Sequence, residues 1–316
     1  MIMTEVPALS IVMPCFDEEE ILPRTLLRLH AAAQATGLAY EIVAVDDGSR
    51  DATWSVLAEA ARQDSRVRGV RLSRNFGHQM ALTAGLERAR GTEILIIDAD
   101  LQDPPELLGL MLAKRREGFD IVYGQRHSRA GETWFKRATA RMFYRLIGYL
   151  SEVPIPSDTG DFRLMSRRAV DAFLQLPESS RFIRGMVAWI GYPQVAVLYD
   201  RAARGAGKTK YSLGKMIRFS ADAVTGFSIK PLRVATFASA GLLGAAFALT
   251  VWAVVVWLLH GTVRGWASLI VTILVVGGVQ TLILGIIGEY IGRLFIEMKR
   301  RPLYLVRDDT AAEPRK

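Results

Sequence analysis

The sequence predicts an α/β fold with a Rossmann-like sheet, followed by two helices that cross a membrane. The first half of the 316-residue chain alternates short apolar runs with longer helical patterns, which is typical of a parallel sheet covered by helices. Residues 234–259 and 266–288 carry no charged side chain, so each run could cross an apolar layer of roughly 30 Å as a helix. Two core helices of a soluble protein are the weaker alternative, because charge-free runs of this length are rarely needed there. The strands predicted for the sheet are 9–13, 41–45, 69–72, 93–97 and 120–123.

We predict four parts along the chain, namely an α/β domain, a juxtamembrane helix, a transmembrane hairpin and a cytoplasmic tail. Their bounds are 1–210, 211–230, 231–292 and 293–316. From about residue 308 onward we expect disorder.

Two basic amphipathic segments, 134–150 and 211–227, are predicted as helices at a membrane surface. Each carries cations on one face and apolar side chains on another. Packing of each helix on the core of its own domain is the competing interpretation.

The net charge of +8 is concentrated in two patches. Residues 201–233 hold eight Lys or Arg and one acid, and residues 126–145 hold six Lys or Arg and one acid. Nucleic acid or anionic lipid headgroups would both fit such patches. Because the patches lie close in sequence to the apolar runs, we expect lipid and no nucleic acid.

The charges that flank the apolar runs predict their orientation. Lys and Arg are frequent outside the two runs, whereas Arg264 alone lies in the loop between them, so both ends and the α/β domain are expected in the cytoplasm. The first residues lack the pattern of a signal peptide. Cys15, the single cysteine, agrees with a reducing compartment and is expected to pack at a strand end. The expected location is the inner membrane, with more than one pass.

Acidic residues follow the first and second predicted strands, at the sheet edge where ligands of parallel sheets gather. A carboxylate accepts well from the N–H of a nucleobase imide, so Asp46 or Asp47 could bind a base such as uracil. Turn formation explains these two acids equally well. For Asp17 and Asp51 we predict helix-capping roles.

The segment 74–79 follows the third strand and begins a helix. A small residue such as Gly77 at a helix start lets backbone N–H groups approach a phosphate. His78 could contact a diphosphate or lie on the helix surface, and the sequence leaves both open.

The strongest local signal is Asp98-x-Asp100, directly after four apolar residues. Two carboxylates beside a buried strand are costly unless a cation pairs with them, and a hard divalent cation would do so while binding diphosphate oxygens. We therefore predict Mg²⁺ or Mn²⁺ at Asp98, Asp100 and the carbonyl of Gln102. Asp103 precedes a proline and is predicted to be a helix N-cap.

Together, the segments 13–19, 45–51, 74–77, 98–104 and 160–164, followed by the hairpin, resemble glycosyltransferase family 2, and more narrowly its polyprenyl-phosphate branch. The resemblance implies a GT-A fold, a nucleotide-sugar donor, a polyprenyl-phosphate acceptor and inversion at the anomeric carbon. A UDP-sugar such as UDP-glucose is the expected donor. Asp17 stands where the family usually has Asn, which affects only the capping geometry.

The residues expected at this site form four groups. Those expected to bind the nucleotide are Pro14, Phe16, Glu18, Asp46, Asp47, Asn75, Gly77 and His78. Those expected to bind the metal are Asp98, Asp100 and Gln102. Those expected at the acceptor phosphate are Arg129, Arg204, Lys208 and Lys210, the last three in a glycine-bearing loop that could equally be a plain lipid-binding patch. Those expected to take part in catalysis are Asp161, Asp158 and Arg126.

The charge of the acceptor leads to a hypothesis for the mechanism. A lipid monophosphate has a second pKa of about 6, so its oxygen is already an anionic nucleophile near neutral pH. No strong general base is then needed. We expect Asp161, with Asp158, to orient the acceptor or balance nearby cations, while Arg126 and the metal stabilise the departing nucleoside diphosphate.

Three other functions fit the pattern less well. A processive polysaccharide synthase would need more spans, and the sequence has no Gln-x-x-Arg-Trp segment. A non-catalytic membrane scaffold would not need both acids of Asp98-x-Asp100. A transporter would need a charged path through its spans. Glycines in the spans would let helices pack closely, either between subunits of a homo-oligomer or within one hairpin.

Overall fold

A computed structural model describes residues 6–126, 159–179, 181–200, 230–260 and 265–311. These residues fall into two compact units. The first contains the sheet and its helices together with the tail from Arg301, and the second contains the two long C-terminal helices. The predicted surface helices at 134–150 and 211–227 lie outside the described residues.

The first unit is built on an eight-stranded mixed sheet in the order β7-β5-β6-β4-β1-β2-β3-β8. Strands β4, β1, β2 and β3 are parallel, β6 is antiparallel to both β4 and β5, β7 is parallel to β5, and β8 is antiparallel to β3. The strands are β1 (Leu9–Cys15), β2 (Tyr40–Asp46), β3 (Val67–Leu72), β4 (Glu93–Ile96), β5 (Ile121–Arg126), β6 (Thr159–Ser166), β7 (Gln194–Tyr199) and β8 (Val306–Asp309).

The helices of this unit connect the strands. They are α1 (Leu22–Gln34), α2 (Thr53–Gln63), α3 (His78–Arg88), a 3₁₀ turn (Pro105–Leu107), α4 (Leu108–Arg116), α5 (Arg167–Leu174) and α6 (Ile183–Trp189). In α1 the buried side chains Leu22, Leu26, Leu29 and Ala33 recur at helical spacing and face the core. Burying one such leucine contributes about 1.5–3 kcal/mol.

All five predicted strands are confirmed, since they correspond to β1, β2, β3, β4 and β5. Every residue of β1 and β2 is buried, as the apolar runs of these strands indicate. Helix α3 lies very close to β1: a Cβ on Gly85 would come within 2.4 Å of Cγ1 of Val12. This close packing fixes the start of α3, and with it His78, against the carboxyl end of the sheet.

Residues 308–311 contradict the prediction of disorder from about residue 308, and the later residues lie outside the described ranges. Strand β8 pairs with β3, and Thr310 exchanges hydrogen bonds with Gly69, its N–H donating to the Gly69 carbonyl at 2.9 Å. Arg68 donates two hydrogen bonds to Asp309, from Nε at 3.0 Å and from Nη2 at 2.7 Å. The tail therefore adds a strand to the sheet. The sequence analysis did not predict this strand because the segment is mostly polar.

The second unit contains α7 (Lys230–His260) and α8 (Trp266–Met298). Both charge-free runs are helical, and α8 ends at Met298, six residues beyond the predicted end of the hairpin at residue 292. Among the described residues, the segment Val275–Met298 is long and apolar enough to cross a membrane, and a shorter apolar stretch, Phe237–Trp252, lies in α7.

Candidate active site

The ends of β1, β2 and β4 and the loop after β3 enclose a cavity of about 290 Å³. This arrangement is the usual position for a ligand on an α/β sheet. Nine of the predicted site residues line it, namely Pro14, Phe16, Glu18, Asp47, Asn75, Gly77, His78, Asp98 and Asp100. Cys15, Ala81 and Ala99 complete the lining, and Cys15 is buried at the end of its strand as expected.

The loops that follow β1 and β2 are joined by hydrogen bonds. The N–H of Asp17 donates to Oγ of Ser49 at 3.0 Å, the N–H of Glu18 donates to Oγ1 of Thr53 at 2.9 Å, and the N–H of Arg50 donates to Oδ1 of Asp17 at 2.8 Å. These bonds fix the cavity wall that carries Phe16 and Glu18 before any ligand binds.

The predicted capping roles need correction at two of three acids. Asp17 does not cap α1, since its carboxylate is bound by Arg50 and Ile21 is the N-cap residue. Asp103 is not an N-cap either: the 3₁₀ turn begins one residue later than predicted, and Asp103 instead accepts a hydrogen bond from the Tyr199 hydroxyl. Asp51 lies one residue before Ala52, the N-cap residue of α2, but its carboxylate accepts the N–H of Thr53, the first residue of α2, at 3.0 Å and so satisfies a donor at the helix start.

The two acids that end β2 have different environments. Asp47 lines the cavity, and its carboxylate accepts the N–H groups of Phe76 at 2.7 Å and Gly77 at 2.9 Å. Burial raises the pKa of Asp47 despite these two bonds. Asp46 is fully buried outside the cavity lining, accepts the N–H of Ser49 at 2.9 Å, and lies 3.3 Å from Nε of Arg71. Asp47 is therefore the acid of this pair that can meet a ligand.

Gly48, between these acids, has a backbone conformation that favours glycine, with φ of 68°. A Cβ at this position would lie 2.4 Å from the carbonyl carbon of Arg74 and 2.6 Å from the nitrogen of Asn75. The absence of a side chain thus lets the turn after β2 lie directly against the loop that begins α3.

The predicted metal ligands lie together after β4. The N–H of Gln102 donates to Oδ1 of Asp100 at 3.1 Å, which folds this loop back toward the strand, with Leu101 at a φ of 55°. Oδ1 of Asp98 and Oε1 of Gln102 are buried and have no hydrogen-bond partner among the described residues. Buried oxygens in this state are unfavourable, and a hard cation would satisfy them.

The pKa of Asp98 also indicates that a cation would be favourable at this position. Burial raises the pKa of Asp98 to about 6, although the nearby His78 ring opposes the rise. Among the described residues, no group of three or more His, Cys, Asp or Glu side chains could hold a metal alone. The two carboxylates therefore fit a Mg²⁺ or Mn²⁺ ion that takes its other ligands from water and from substrate oxygens.

His78 connects the loop that carries the predicted metal ligands to Asp161. Its Nε2 atom lies 3.5 Å from Oδ1 of Asp98 and 3.3 Å from Oδ2 of Asp161. Burial alone would lower the pKa of His78, but the hydrogen bond that the ring N–H donates to Asp161 and the charge of Asp98 outweigh it and raise the pKa to about 9. The imidazole is therefore a cation at neutral pH.

Asp161 is almost completely buried, with 5% of its side chain exposed, and is surrounded by positive charge. Nε of Arg184 donates to its Oδ1 at 2.9 Å, and Nε2 of Gln79 donates to its Oδ2 at 3.4 Å. Burial would raise the pKa of Asp161, yet Arg184, His78 and Arg163 together lower it far below the ordinary range. Asp161 is thus held as a carboxylate.

Three participants in this network were missed by the sequence analysis, namely Gln79, Arg163 and Arg184. Arg163 is buried and donates to the carbonyls of Gly160 at 3.0 Å and Asp161 at 3.3 Å. An arginine within the otherwise apolar run 182–187 was the one available signal for Arg184.

Part of the predicted site lies outside the described residues. Asp158, Arg129, Arg204, Lys208 and Lys210 are in this group. Arg126 is the last residue of β5, and its side chain is likewise outside the description.

A mixed sheet of this order, with a nucleotide-sized cavity and an Asp-x-Asp pair at the ends of its parallel strands, defines a glycosyltransferase of the GT-A fold. The model of glycosyl transferase family 2 matches residues 10–174, and the model of the GtrB C-terminal hairpin matches residues 230–294. The chain belongs to glycosyltransferase family 2.

Two curated relatives match over nearly their whole length. The chain is 47% identical over 306 residues to an uncharacterized glycosyltransferase of Synechocystis sp., covering 95% of each chain. It is 39% identical over 302 residues to the bactoprenol glucosyl transferase of Shigella phage SfV, covering 95% of this chain and 98% of the relative.

A solved structure is also similar, that of glucosyl-3-phosphoglycerate synthase from Mycobacterium tuberculosis in complex with Mn²⁺, UDP-glucose and phosphoglyceric acid. The identity is 19%, the TM-score is 0.43, and the match covers 69% of this chain and 78% of that one.

Proposed function

We propose that this enzyme transfers glucose from UDP-glucose to a polyprenyl phosphate such as undecaprenyl phosphate, with inversion at the anomeric carbon. The observation that carries the proposal is the full-length similarity to bactoprenol glucosyl transferases, at 39% identity for the protein of phage SfV. The cavity at the strand ends supports it, because its lining offers carboxylates and an imidazolium at the start of α3 to a nucleoside diphosphate and its cation.

In this proposal the donor lies across the ends of β1, β2 and β4. Pro14, Phe16, Glu18 and Asp47 surround the nucleoside, and Asp47 is already anchored by the N–H groups of Phe76 and Gly77. Asn75, Gly77 and His78, at the start of α3, face the diphosphate, where the positive end of the helix and the imidazolium favour negative charge.

Asp98, Asp100 and Gln102 would hold a Mg²⁺ or Mn²⁺ ion against the diphosphate. When bound, this ion supplies positive charge for the leaving nucleoside diphosphate. His78, whose pKa is raised to about 9, adds a second positive charge close to the same position. Together with Arg126 it would stabilise the charge that develops as the glycosidic bond breaks.

The acceptor phosphate needs no strong base in this enzyme. One phosphate oxygen attacks the anomeric carbon while the bond to the diphosphate breaks, and no proton has to leave the nucleophile. Asp161 suits a supporting role, because its low pKa makes it a poor proton acceptor near neutral pH. It balances the positive charges of His78 and Arg184, and Asp158 is proposed to assist it.

The acceptor is expected to arrive from a membrane. Arg129, Arg204, Lys208 and Lys210 would bind its phosphate, and the C-terminal hairpin would anchor the enzyme in the inner membrane with two passes and the sheet domain in the cytoplasm. Association of hairpins from several copies into a homo-oligomer completes the proposal.

A reconstitution assay tests this function. Purified protein in detergent or liposomes is incubated with Mn²⁺ or Mg²⁺, undecaprenyl phosphate and each of a panel of nucleotide-sugars. We expect a glucolipid from UDP-glucose and little product from UDP-N-acetylglucosamine or GDP-mannose. Transfer of another sugar would change the donor assignment, and release of free glucose without a lipid product would contradict the acceptor assignment.

A further inference from the structure

Among the residues that the structure describes, Arg184 lies closest to the buried carboxylate of Asp161. Its Nε lies 2.9 Å from Oδ1, whereas Nη2 of Arg163 lies 4.0 Å from the same oxygen and already donates to the carbonyl of Gly160. The other carboxylate oxygen, Oδ2, faces His78 at 3.3 Å and Gln79 at 3.4 Å, and it also accepts from Nη2 of Arg184 at 3.4 Å. Asp161 thus lies between α6, whose Arg184 contacts both of its oxygens, and α3, whose His78 and Gln79 contact Oδ2.

Gln79 joins the starts of these two helices. Its side-chain NH₂ donates to Asp161, while its side-chain carbonyl accepts the N–H of Ile183, the first residue of α6, at 3.0 Å. Arg184 is the next residue of α6 and contacts Asp161 directly. The start of α3 contacts Asp161 through His78 and Gln79, so Asp161 and Gln79 together connect the two helix starts. Because His78 also contacts Asp98, a displacement of α6 or Asp161 would be transmitted to the loop that carries the predicted metal ligands.

We propose that Arg184 is a positioning residue for the transfer reaction, which acts through Asp161 to hold His78 beside Asp98. Arg184 does not itself contact the donor in this proposal. The inference rests on the proposed function, since it assigns a role within that reaction. The contacts run from Arg184 in α6 through Asp161 in β6 to His78 in α3. In the proposed reaction His78 lies beside the leaving diphosphate.

The chain offers a matched control for this role. Arg168, at the start of α5, pairs with Asp120, a carboxylate that is 1% exposed and lies away from the cavity lining. Replacing Arg168 or Arg184 by Gln therefore removes an arginine from a buried aspartate in both cases. A general loss of structure would follow from either change, whereas a loss of positioning would follow from Arg184→Gln alone.

The test is steady-state transfer of glucose from UDP-glucose to undecaprenyl phosphate by the full-length protein. We expect Arg184→Gln to lower kcat about 30- to 100-fold, with the KM values for both substrates changed less than about threefold. Arg184→Lys, which keeps one charged donor, should recover part of the rate. Arg168→Gln should stay within about twofold of wild type.

A double-mutant cycle shows whether Arg184 acts through Asp161. In an Asp161→Asn background, Arg184→Gln should cause little further loss of kcat. Equal losses in both backgrounds, a main effect on the acceptor KM, or an unchanged kcat for Arg184→Gln would each overturn the inference. A wild-type protein that transfers no glucose would instead contradict the proposed function, so the two failures are distinguishable.

Discussion

Nε2 of His78 lies 3.3 Å from Oδ2 of Asp161, so the first residue of α3 forms an ion pair with an acid of β6. Helix α3 follows a strand in the parallel half of the sheet, and β6 runs antiparallel to its neighbours. The pair therefore joins the nucleotide-binding half of the sheet to its other half, directly beside the predicted metal ligand Asp98.

Replacement of His78 by Gln should lower kcat about 10- to 100-fold, because it removes a cation beside the leaving diphosphate. Steady-state transfer kinetics measure the change. His30→Gln is the matched control, since His30 pairs with Tyr40 and Asp64 outside the cavity lining. Equal losses in the two variants would contradict the role of His78.

Asp161→Asn should retain measurable activity, and its pH profile should show no new acidic limb. The reason is that the wild-type pKa of Asp161 is already far below the assay range, so the group does not act as the base near neutral pH. The rate is measured from about pH 5 to about pH 9. A loss that approaches the full catalytic effect, together with a new acidic limb in the pH profile of the residual activity, would contradict the supporting role of Asp161.

Mn²⁺ binding should weaken as the pH falls below about 6. The pKa of Asp98 is raised to about 6 in the metal-free protein, and only the carboxylate binds the ion. Below that pH, protons compete with Mn²⁺, and the affinity should fall up to about tenfold per pH unit. Calorimetric titration with Mn²⁺ and UDP tests this. An affinity that does not change between about pH 5 and about pH 7 would contradict Asp98 as a ligand.

Gly48→Ala should reduce both stability and donor binding, because a Cβ there would lie 2.4 Å from the backbone of Arg74 and displace the loop before α3. Gly37→Ala is the control. Gly37 has a similar φ of 70°, but a Cβ would meet nothing within 4 Å. Both variants share the cost of a positive φ, about 1–2 kcal/mol. A UDP affinity that is weaker in Gly48→Ala alone would support a role for the close contact between Gly48 and Arg74. Equal changes in UDP affinity in the two variants would contradict that role.

Asp309→Asn should lower the free energy of unfolding by about 1–3 kcal/mol near neutral pH, since it removes charged hydrogen bonds from Arg68. Although burial opposes it, Arg68 lowers the pKa of Asp309. This contribution is therefore present above the unfolded-state pKa of about 3.9 and is lost as the pH falls through the lower folded-state value.

Denaturant unfolding at neutral and acidic pH measures this effect. Asp308→Asn is the control, because Asp308 pairs only with the exposed Arg307 among the ion pairs of the described residues, and a surface pair of this kind contributes about 0–1 kcal/mol. Identical losses for the two variants would contradict a specific role for Asp309.

The sequence predicted the parallel core and most of the cavity, because both depend on local patterns. Apolar runs identify buried strands, and acids directly after them must lie at the sheet edge, so Asp47, Asp98 and Asp100 could be placed together. What the sequence did not reveal depends on contacts between distant segments. Arg184 meets Asp161 across 23 positions, and β8 reaches β3 from more than 200 positions away.

The capping errors have a local cause. Asp17 and Asp103 have the residue type and spacing of helix caps, but each has another partner, the N–H of Arg50 and the hydroxyl of Tyr199. The hydrogen bond of Asp103 is buried, and a carboxylate gains more at a buried donor than at an exposed helix end, whereas the hydrogen bond of Asp17 is exposed and joins two loops. Such competition is decided by the tertiary structure and is invisible in a local motif.

The most direct test of the central claim is the metal-dependent transfer of labelled glucose from UDP-glucose to undecaprenyl phosphate by wild-type, Asp98→Asn and Asp100→Asn proteins. We expect an inverted glucolipid from wild type in the presence of Mn²⁺ or Mg²⁺, no product after chelation, and at least about a 100-fold loss in each variant. Wild-type rates in either variant, or full activity in the presence of a chelator, would contradict the assignment of this site.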